Sequence, residues 1–329
     1  MRKMHSKIPF LILLGCTVLG GCDALSSASA PVSGISTAID PKRQGDATHS
    51  RDSQKIDGEI IWSGTSGGLN IWWTTRDLYV ESPSGIQKIW GPLAQKGVEE
   101  FVAANSDDGS DEPTPAMNCD YDRYFKVLSV VGSLVSFKDS YLITCERAAH
   151  PDIDTRFTTI DLAKSGHLSY SWDVDLANLG KIIKLTDYFA EEDILRALLA
   201  DRVVQKALVT VNAPAPPRTL EELVTLIKKD DYSLGDYYLP TDFLTRFAFH
   251  HIEGNRVAIR LGLPPNSVAN HAMHLQLELL LPIPDRLRAQ LTLASERQEG
   301  FLMKDAEKIA GEQENEFGFR TDNGIERVK

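Results

Sequence analysis

The first 22 residues constrain this chain most, because they decide which part of it folds and in which compartment. Residues 1–7 carry three basic side chains and no acidic one, and residues 8–19 form a short, mainly apolar run. A basic start followed by a short apolar segment is typical of an export signal. The run is shorter than the roughly 20 apolar residues of a membrane-spanning helix. We therefore predict that residues 1–21 direct export and that the rest of the chain folds outside the cytoplasm.

The apolar run ends in Leu19-Gly20-Gly21-Cys22, which resembles the lipobox of bacterial lipoproteins. The resemblance implies cleavage after Gly21 and diacylation of Cys22, whose thiolate is the nucleophile that is alkylated. The alternative is an ordinary secretory signal with an incidental cysteine. Two or three acyl chains, each contributing about 0.8 kcal/mol per buried CH₂, hold a protein firmly at a membrane. Asp23 resembles the enterobacterial signal for retention in the inner membrane, with the outer membrane as the alternative.

The order of patterns along the chain predicts an α+β fold with antiparallel sheets and a few packed helices. Strands are followed by helices and then by strands again, without regular βαβ alternation. The predicted segments are a signal peptide (1–21), a lipidated cysteine with a flexible tether rich in Ser, Ala, Pro and Gly (22–55), a small β-rich unit with one helix (56–105), an acidic loop (106–118), an α+β domain (119–290) and a charged C-terminal helix and tail (291–329).

Local patterns predict individual elements within these segments. Residues 138–140 (KDS) indicate a turn between two strands. Apolar side chains at helical spacing predict one helix over residues 191–208. Residues 243–250 have a strand pattern, residues 285–311 favour a charged helix, and residues 312–329 are expected to be frayed or disordered.

Composition and charge exclude several classes of protein. With 42% hydrophobic and 25% charged residues, the chain is neither a disordered polymer, nor a collagen-like fibre, nor a multi-span membrane protein. The 35 basic and 46 acidic residues give a net charge of −11, which becomes −14 once the three basic residues of the signal segment are removed. This balance argues against nucleic acid and against docking onto anionic lipid by a basic face, and it favours a cationic partner.

Two cysteines, Cys119 and Cys145, remain after the signal and anchor segment. An even pair in an exported chain favours a disulfide. Closing a loop of about 27 residues stabilises a fold by roughly 3.5 kcal/mol in the chain-entropy picture. Two buried free thiols are the alternative. Neither a CxxC motif nor a neighbouring histidine completes a metal-ligand set, so we expect no metal and no cofactor.

Four of the five tryptophans lie between positions 62 and 90. Trp72 and Trp73 are adjacent, so on a strand one of them faces the core and the other faces out. An exposed tryptophan stacks on sugars or acts as a binding hot spot, which makes Trp72, Trp73 and Trp90 candidate binding residues. Core filling of a small β unit is the alternative.

Two further candidates lie at the start of a predicted strand. His150 is followed closely by Asp152 and Asp154, whose charges bias its protonation. His150 and Asp152 are therefore candidate binding residues, and a role in the turn is the alternative for His150.

Other motifs carry weaker chemistry. His250 and His251 are adjacent on a predicted strand and should point to opposite faces, so only one could enter a given site. We expect structural or surface roles for them and for His271 and His274. Residues 64–68 (GTSGG) match the nucleophile elbow G-x-S-x-G, but that motif needs a following helix. A strand pattern follows here, which favours a hairpin loop.

Four central segments occur in an order similar to an extracytoplasmic domain of the lysozyme-sensing anti-sigma factor family and of some cell-wall deacetylases. They are residues 131–137 (VGSLVSF), 146–151 (ERAAHP), 158–166 (TTIDLAKSG) and 184–189 (KLTDYF). Arg147 and Ala148 replace the Gly-Gly that the family prefers, and Tyr188 replaces a leucine. Over roughly residues 120–285, the resemblance implies an α+β domain and, in the anti-sigma branch, lysozyme binding. It implies no catalytic residues.

Together these features predict a non-enzymatic, lipid-anchored protein facing the periplasm. We expect it to restrain a cationic cell-wall lytic enzyme, as an inhibitor or immunity protein does. One alternative is a lipoprotein that binds or hydrolyses peptidoglycan or another glycan through the tryptophan-rich region. Another is a structural lipoprotein of envelope assembly.

Overall fold

The fold is known from a computed structural model, which describes a large part of the chain after the predicted tether. The described residues are 56–82, 85–106, 119–145, 151–164, 181–228, 234–235, 237–265, 274–311, 317–320 and 326–328. They all belong to one compact unit. The signal peptide, the tether and nearly all of the acidic loop lie outside these residues. Within the described part, no helix has the length and apolar character needed to cross a membrane.

The first described part is a four-stranded antiparallel sheet followed by a helix. Its strands, neighbours in chain order, are β1 (Ile60–Ser66), β2 (Leu69–Thr74), β3 (Leu78–Ser82) and β4 (Gly85–Lys88), and helix α1 covers Trp90–Ser106. The buried Asp77 carboxylate accepts hydrogen bonds from the backbone N–H groups of Leu78 and Trp90, both at 2.9 Å. One side chain therefore connects the start of β3 to the start of α1.

A six-stranded antiparallel sheet forms the centre of the molecule. Its order is β13-β12-β5-β6-β7-β8, with β5 (Cys119–Val131), β6 (Leu134–Cys145), β7 (Asp152–Asp161), β8 (Lys181–Ile182), β12 (Phe317–Arg320) and β13 (Glu326–Val328). The turn predicted at residues 138–140 is wrong, because β6 continues through it and pairs with both neighbours. Arg123 of β5 donates to both carboxylate oxygens of Asp139, at 2.9 and 2.7 Å. This ion pair compensates the buried charge of Asp139. A charged residue that the sequence pattern assigned to a turn therefore lies within a strand.

The C-terminal tail is more ordered than its sequence predicts. Within residues 312–329, strands β12 and β13 are formed, and β12 pairs with β5 from Asp122 to Phe125. An unpaired strand edge exposes backbone N–H and C=O groups, and the tail pairs with those of β5 over residues 122–125. A short tail strand depends on this distant partner, so its own sequence carries little signal.

A three-stranded sheet and five helices complete the described fold. The sheet order is β11-β10-β9, with β9 (Phe247–Glu253), β10 (Arg256–Leu263) and β11 (Leu275–Pro282). The helices are α2 (Glu191–Ala200), α3 (Arg202–Thr210), α4 (Leu220–Leu226), α5 (Asp285–Ser295) and α6 (Met303–Ala310).

Three predicted elements in this region have different bounds. The helix predicted over residues 191–208 is divided at Asp201, whose carboxylate caps α3 by accepting from the backbone N–H of Val203 at 2.8 Å. The helix predicted over residues 285–311 is interrupted where Phe301 forms a β-bridge with Val130. The strand predicted over residues 243–250 begins later, since a 3-10 turn occupies Phe243–Thr245.

Two large hydrophobic clusters hold these layers together. Helices α2 to α5 pack on one face of the three-stranded sheet, represented by Phe247, Val257 and Leu279. The second cluster joins the four-stranded sheet, α1 and α6 to the central sheet. Ala248, on the opposite face of β9 from Phe247, packs with Leu128 and Phe157 of the central sheet. The predicted α+β class with antiparallel sheets is confirmed.

Candidate functional site

The predicted disulfide lies at one end of the central sheet. Cys119 begins β5 and Cys145 ends β6; the two residues are directly opposite in the register, with their Cα atoms 4.0 Å apart. The pairing of these cysteines is confirmed. The bond closes the end of the β5–β6 hairpin that lies farthest from its turn.

Exposed carboxylates accompany this bond, and we call Asp120 and Asp152 with the Cys119–Cys145 bond the acidic sheet end. Asp120 follows Cys119 directly and is opposite Thr144, while Asp152 is opposite Ile143. Both aspartates are exposed. Because neighbouring strand residues alternate, the two carboxylates flank the disulfide from the two faces of the sheet. Asp152 is thus an accessible candidate, whereas His150 lies outside the described residues.

Two of the three candidate tryptophans are core residues. Trp73 and Trp90 are fully buried. The Trp73 ring stacks on Phe301 with centroids 5.8 Å apart, and the Trp90 ring stacks on Phe125 at 5.9 Å. A sugar-stacking role for these two indoles is therefore wrong, because their rings are buried against Phe301 and Phe125 in the second hydrophobic cluster. Trp72, which points to the other face of β2, is only partly buried.

The G-x-S-x-G segment is a hairpin, as its following strand pattern predicted. Ser66 ends β1 and pairs with Leu69 at the start of β2. Gly67 has φ +59°, and a Cβ there would lie 2.4 Å from the backbone nitrogen of Ser133. The glycine thus allows this hairpin to approach the β5–β6 turn. Ser66 is fully buried, so its position is unlike that of an exposed nucleophile.

A buried ionic cluster lies beside the exposed end of β7. Arg156 donates to Asp154 Oδ2 at 3.1 Å, and Nη1 of Arg246 lies 4.0 Å from the same oxygen. Burial opposes ionisation of Asp154, but the guanidinium groups of Arg156 and Arg246 outweigh it and hold the pKa of this carboxyl below its ordinary value. Burial and the carboxylates of Asp154 and Asp152 raise the pKa of Tyr141.

His274 lies at the edge of this cluster. Its ring meets Phe157 edge-on, with centroids 4.8 Å apart. Burial, followed by the positive charge of Lys138, lowers the pKa of His274 to about 4. Within the part of the chain that the structure describes, buried polar atoms without a hydrogen-bond partner include Asp154 Oδ1, Arg246 Nη1 and His274 Nε2. Sequence reasoning missed this cluster, although the charges of Asp154 and Arg156 within a strand were its visible signal.

The adjacent histidines of β9 are brought together by a β-bulge. In the register with β10, Ala258 is opposite His251 and Ile259 is opposite Phe249, so His250 is the additional residue. A bulge interrupts the alternation of side chains. Nδ1 of His250 and Nδ1 of His251 are 2.7 Å apart and share a hydrogen bond. The prediction that these side chains point to opposite faces is therefore wrong.

Glu278 of β11 completes a group of three possible metal ligands. One ligand atom from each of His250, His251 and Glu278 lies within 4.8 Å of the others. Arg260, between them on β10, is opposite Glu278 in the register and binds its Oε2 at 2.8 Å. Burial, then the charges of Arg260 and His251, lower the pKa of His250. Two imidazoles and a carboxylate are a donor set that suits Zn²⁺.

Glu278 also lines a pocket between α2 and the three-stranded sheet. The pocket has a volume of about 420 Å³. Its lining comprises Asp193, Arg196, Ala197, Ala200, Asp201, Arg202, Arg256, Glu278, Leu280 and Pro282. The carboxylate beside the histidine pair is therefore reachable from a concave surface.

Comparisons with other proteins find no relative. No protein-family model matches the sequence, and neither curated proteins nor solved structures give a significant match. The resemblance of residues 120–285 to the anti-sigma extracytoplasmic domain stays a prediction. Lipidation of Cys22 also stays a prediction, since that residue lies outside the described part of the chain.

Proposed function

We propose that this protein is a lipid-anchored binding protein of the bacterial envelope, facing the periplasm, that restrains a cationic cell-wall lytic enzyme. It would act as an inhibitor or immunity protein, by binding rather than by catalysis. The observation that carries the proposal is the acidic sheet end, where exposed Asp120 and Asp152 flank the Cys119–Cys145 bond.

The disulfide supports the compartment. Disulfides form and persist outside the cytoplasm, where no thiol pool keeps cysteines reduced. This agrees with the export signal predicted at residues 1–21 and with lipidation of Cys22. The anchor would hold the compact unit near the wall, and the segment 22–55 would serve as its tether.

The charge supports the class of partner. After removal of the signal segment the chain carries −14. Complementary charge accelerates association and opposes partners of like charge. The acidic sheet end presents one carboxylate on each face of the sheet, beside the edge that the disulfide cross-links. The resemblance to the lysozyme-sensing domain points to the same partner class.

The test is inhibition of wall lysis by residues 23–329, which contain the whole compact unit. The protein is titrated into lysis assays with a panel of cationic muramidases, at low and at high salt. We expect stoichiometric inhibition of at least one enzyme, weakening as salt screens the charges. Absence of inhibition across the panel at low salt, or inhibition independent of salt, contradicts the proposal. Lysis by the protein alone favours the hydrolase alternative.

A matched pair of variants locates the surface. Asp120→Lys with Asp152→Lys should reduce inhibition, because both changes place positive charge at the acidic sheet end. Glu253→Lys with Glu299→Lys makes the same charge change at exposed positions elsewhere, on the β9–β10 hairpin and in the segment before Phe301. Equal loss in the two variants would indicate that only overall charge matters and that the acidic sheet end has no special role.

A further inference from the structure

We propose that His250, His251 and Glu278 form a binding site for a divalent transition metal, for which Zn²⁺ is the expected ion. The site is on the three-stranded sheet, whereas the acidic sheet end that carries the proposed function is on the six-stranded sheet. It is independent of any lytic enzyme.

The backbone of β9 brings the two histidine donor atoms together. Without the bulge at His250, strand alternation would separate the two imidazoles. With it, their Nδ1 atoms are 2.7 Å apart. Bulges are common beside functional sites, where they re-aim a side chain. Ala258, opposite His251 on the middle strand, carries only a methyl side chain.

The distances fit a tetrahedral ion after small side-chain rotations. Ligands at the Zn–N distance of about 2.0–2.1 Å lie about 3.3 Å from one another in a tetrahedron. The imidazole nitrogens must therefore separate slightly, and the carboxylate must approach from within its present 4.8 Å. The Glu278 side chain is 41% exposed and its Oε2 is held by Arg260 at 2.8 Å, so the required approach is a rotation that brings Oε1 toward the imidazoles. Coordination through both Nδ1 atoms requires each ring to carry its proton on Nε2. The hydrogen bond between the two Nδ1 atoms is then lost, and two bonds to the metal take its place.

The surrounding charges orient the ligands and also limit the affinity. Arg260 holds Oε2 of Glu278, so Oε1 can bind the ion while the guanidinium fixes the carboxylate. The positive charges of Arg260 and Lys304 face His250 and oppose a cation. We therefore expect an exchangeable metal that a chelator removes.

Three protein ligands leave one tetrahedral position for water or another ligand, as in zinc sites that are not purely structural. Glu278 also lines the 420 Å³ pocket beside α2. The ion would thus be bound at the margin of a concave surface.

The test is metal binding by the full chain after treatment with a chelator. Zn²⁺ is titrated and bound metal is measured by elemental analysis, with Co²⁺ as the spectroscopic probe of geometry. We expect one ion per chain and the visible absorption of tetrahedral Co²⁺. His250→Ala, His251→Ala and Glu278→Gln should each weaken binding by about tenfold or more, because each removes a ligand. Glu253→Gln, an exposed carboxylate on the same strand, should bind as the unaltered chain does.

Two outcomes overturn the proposal: no saturable binding of Zn²⁺ or Co²⁺ at pH 7.5, or binding that Glu278→Gln and His250→Ala leave unchanged. Circular dichroism checks that each variant is folded. If a histidine variant unfolds, Glu278→Gln still decides the matter, since Glu278 is exposed. Metal binding without inhibition of any muramidase would support this site and contradict the proposed function. Inhibition without metal binding would support the proposed function and contradict this site.

Discussion

Two pairs of sequence neighbours, Trp72-Trp73 on β2 and His250-His251 on β9, differ in how their side chains are oriented. The tryptophans obey strand alternation, so Trp73 is fully buried and Trp72 reaches the other face. The histidines do not, because the bulge at His250 brings both rings together. Neighbouring side chains on a strand therefore point to opposite faces only where the strand keeps its register.

The largest effect on stability is expected from replacing Trp73, the buried member of the tryptophan pair. Trp73→Ala removes a fully buried indole that stacks on Phe301, and it should destabilise the fold by about 3–5 kcal/mol. Urea unfolding followed by fluorescence or circular dichroism measures the change. A loss of less than about 1 kcal/mol would show that Trp73 is not a core residue.

His274, which directly precedes β11, provides the next effect, through pH. The pKa of His274 is lowered to about 4 in the folded chain from 6.5. The unfolded chain therefore binds more protons between these values, and stability falls as pH decreases from about 6.5 to 4. At about 1.4 kcal/mol per pKa unit, the loss attributable to this residue is about 3 kcal/mol.

The measurement is the pH dependence of unfolding in the unaltered chain and in His274→Asn. The variant keeps a polar side chain without a group that titrates in this range. We expect its stability to decline less steeply below pH 6.5. Identical slopes in the two proteins would assign the acid sensitivity to other groups.

Binding of zinc by His250 and His251 should stabilise the folded chain by a smaller amount than these two effects. An ion that binds only the folded chain contributes about 2.7 kcal/mol when its free concentration is 100 times Kd. The melting temperature should therefore rise with Zn²⁺ and return after chelation. His251→Ala should abolish the increase, whereas Trp72→Ala should leave it intact. An equal increase in His251→Ala would place the bound metal elsewhere.

The smallest effect sharpens the tryptophan comparison. Trp72→Ala changes a partly buried ring and should cost about 1 kcal/mol or less in the same unfolding assay. Because Trp72 and Trp73 are the same residue type on one strand, they serve as matched controls. Similar losses for both would mean that the two faces of β2 are equally buried.

Much of the fold could be anticipated where the relevant physics is local. The hairpin at residues 64–68 follows from Gly67 and the strand pattern after it, and the cysteine pair follows from compartment chemistry. The apolar spacing over residues 191–208 correctly predicts helical structure, but Asp201 divides it into two helices. Capping is also local, and the aspartate was its visible signal.

The candidate metal site could not be predicted in the same way. The donor types of His250 and His251 are visible in the sequence, but the bulge depends on the register with β10. Glu278 comes from a third strand, and nothing local links it to the histidines. The sequence makes Trp90 a candidate binding residue, but in the structure its ring is buried against Phe125 of the central sheet.

Patterns within the sequence are enough to predict the alternation of Trp72 and Trp73, the availability of two cysteines for one disulfide and the α+β class. These depend on periodicity and residue chemistry over short distances. The tertiary structure alone decided the bulge at His250, the burial of Trp90 and the pairing of the C-terminal strands with β5. The physical reason is that register and burial are determined by contacts between residues far apart in the chain, and periodicity within one segment does not encode them.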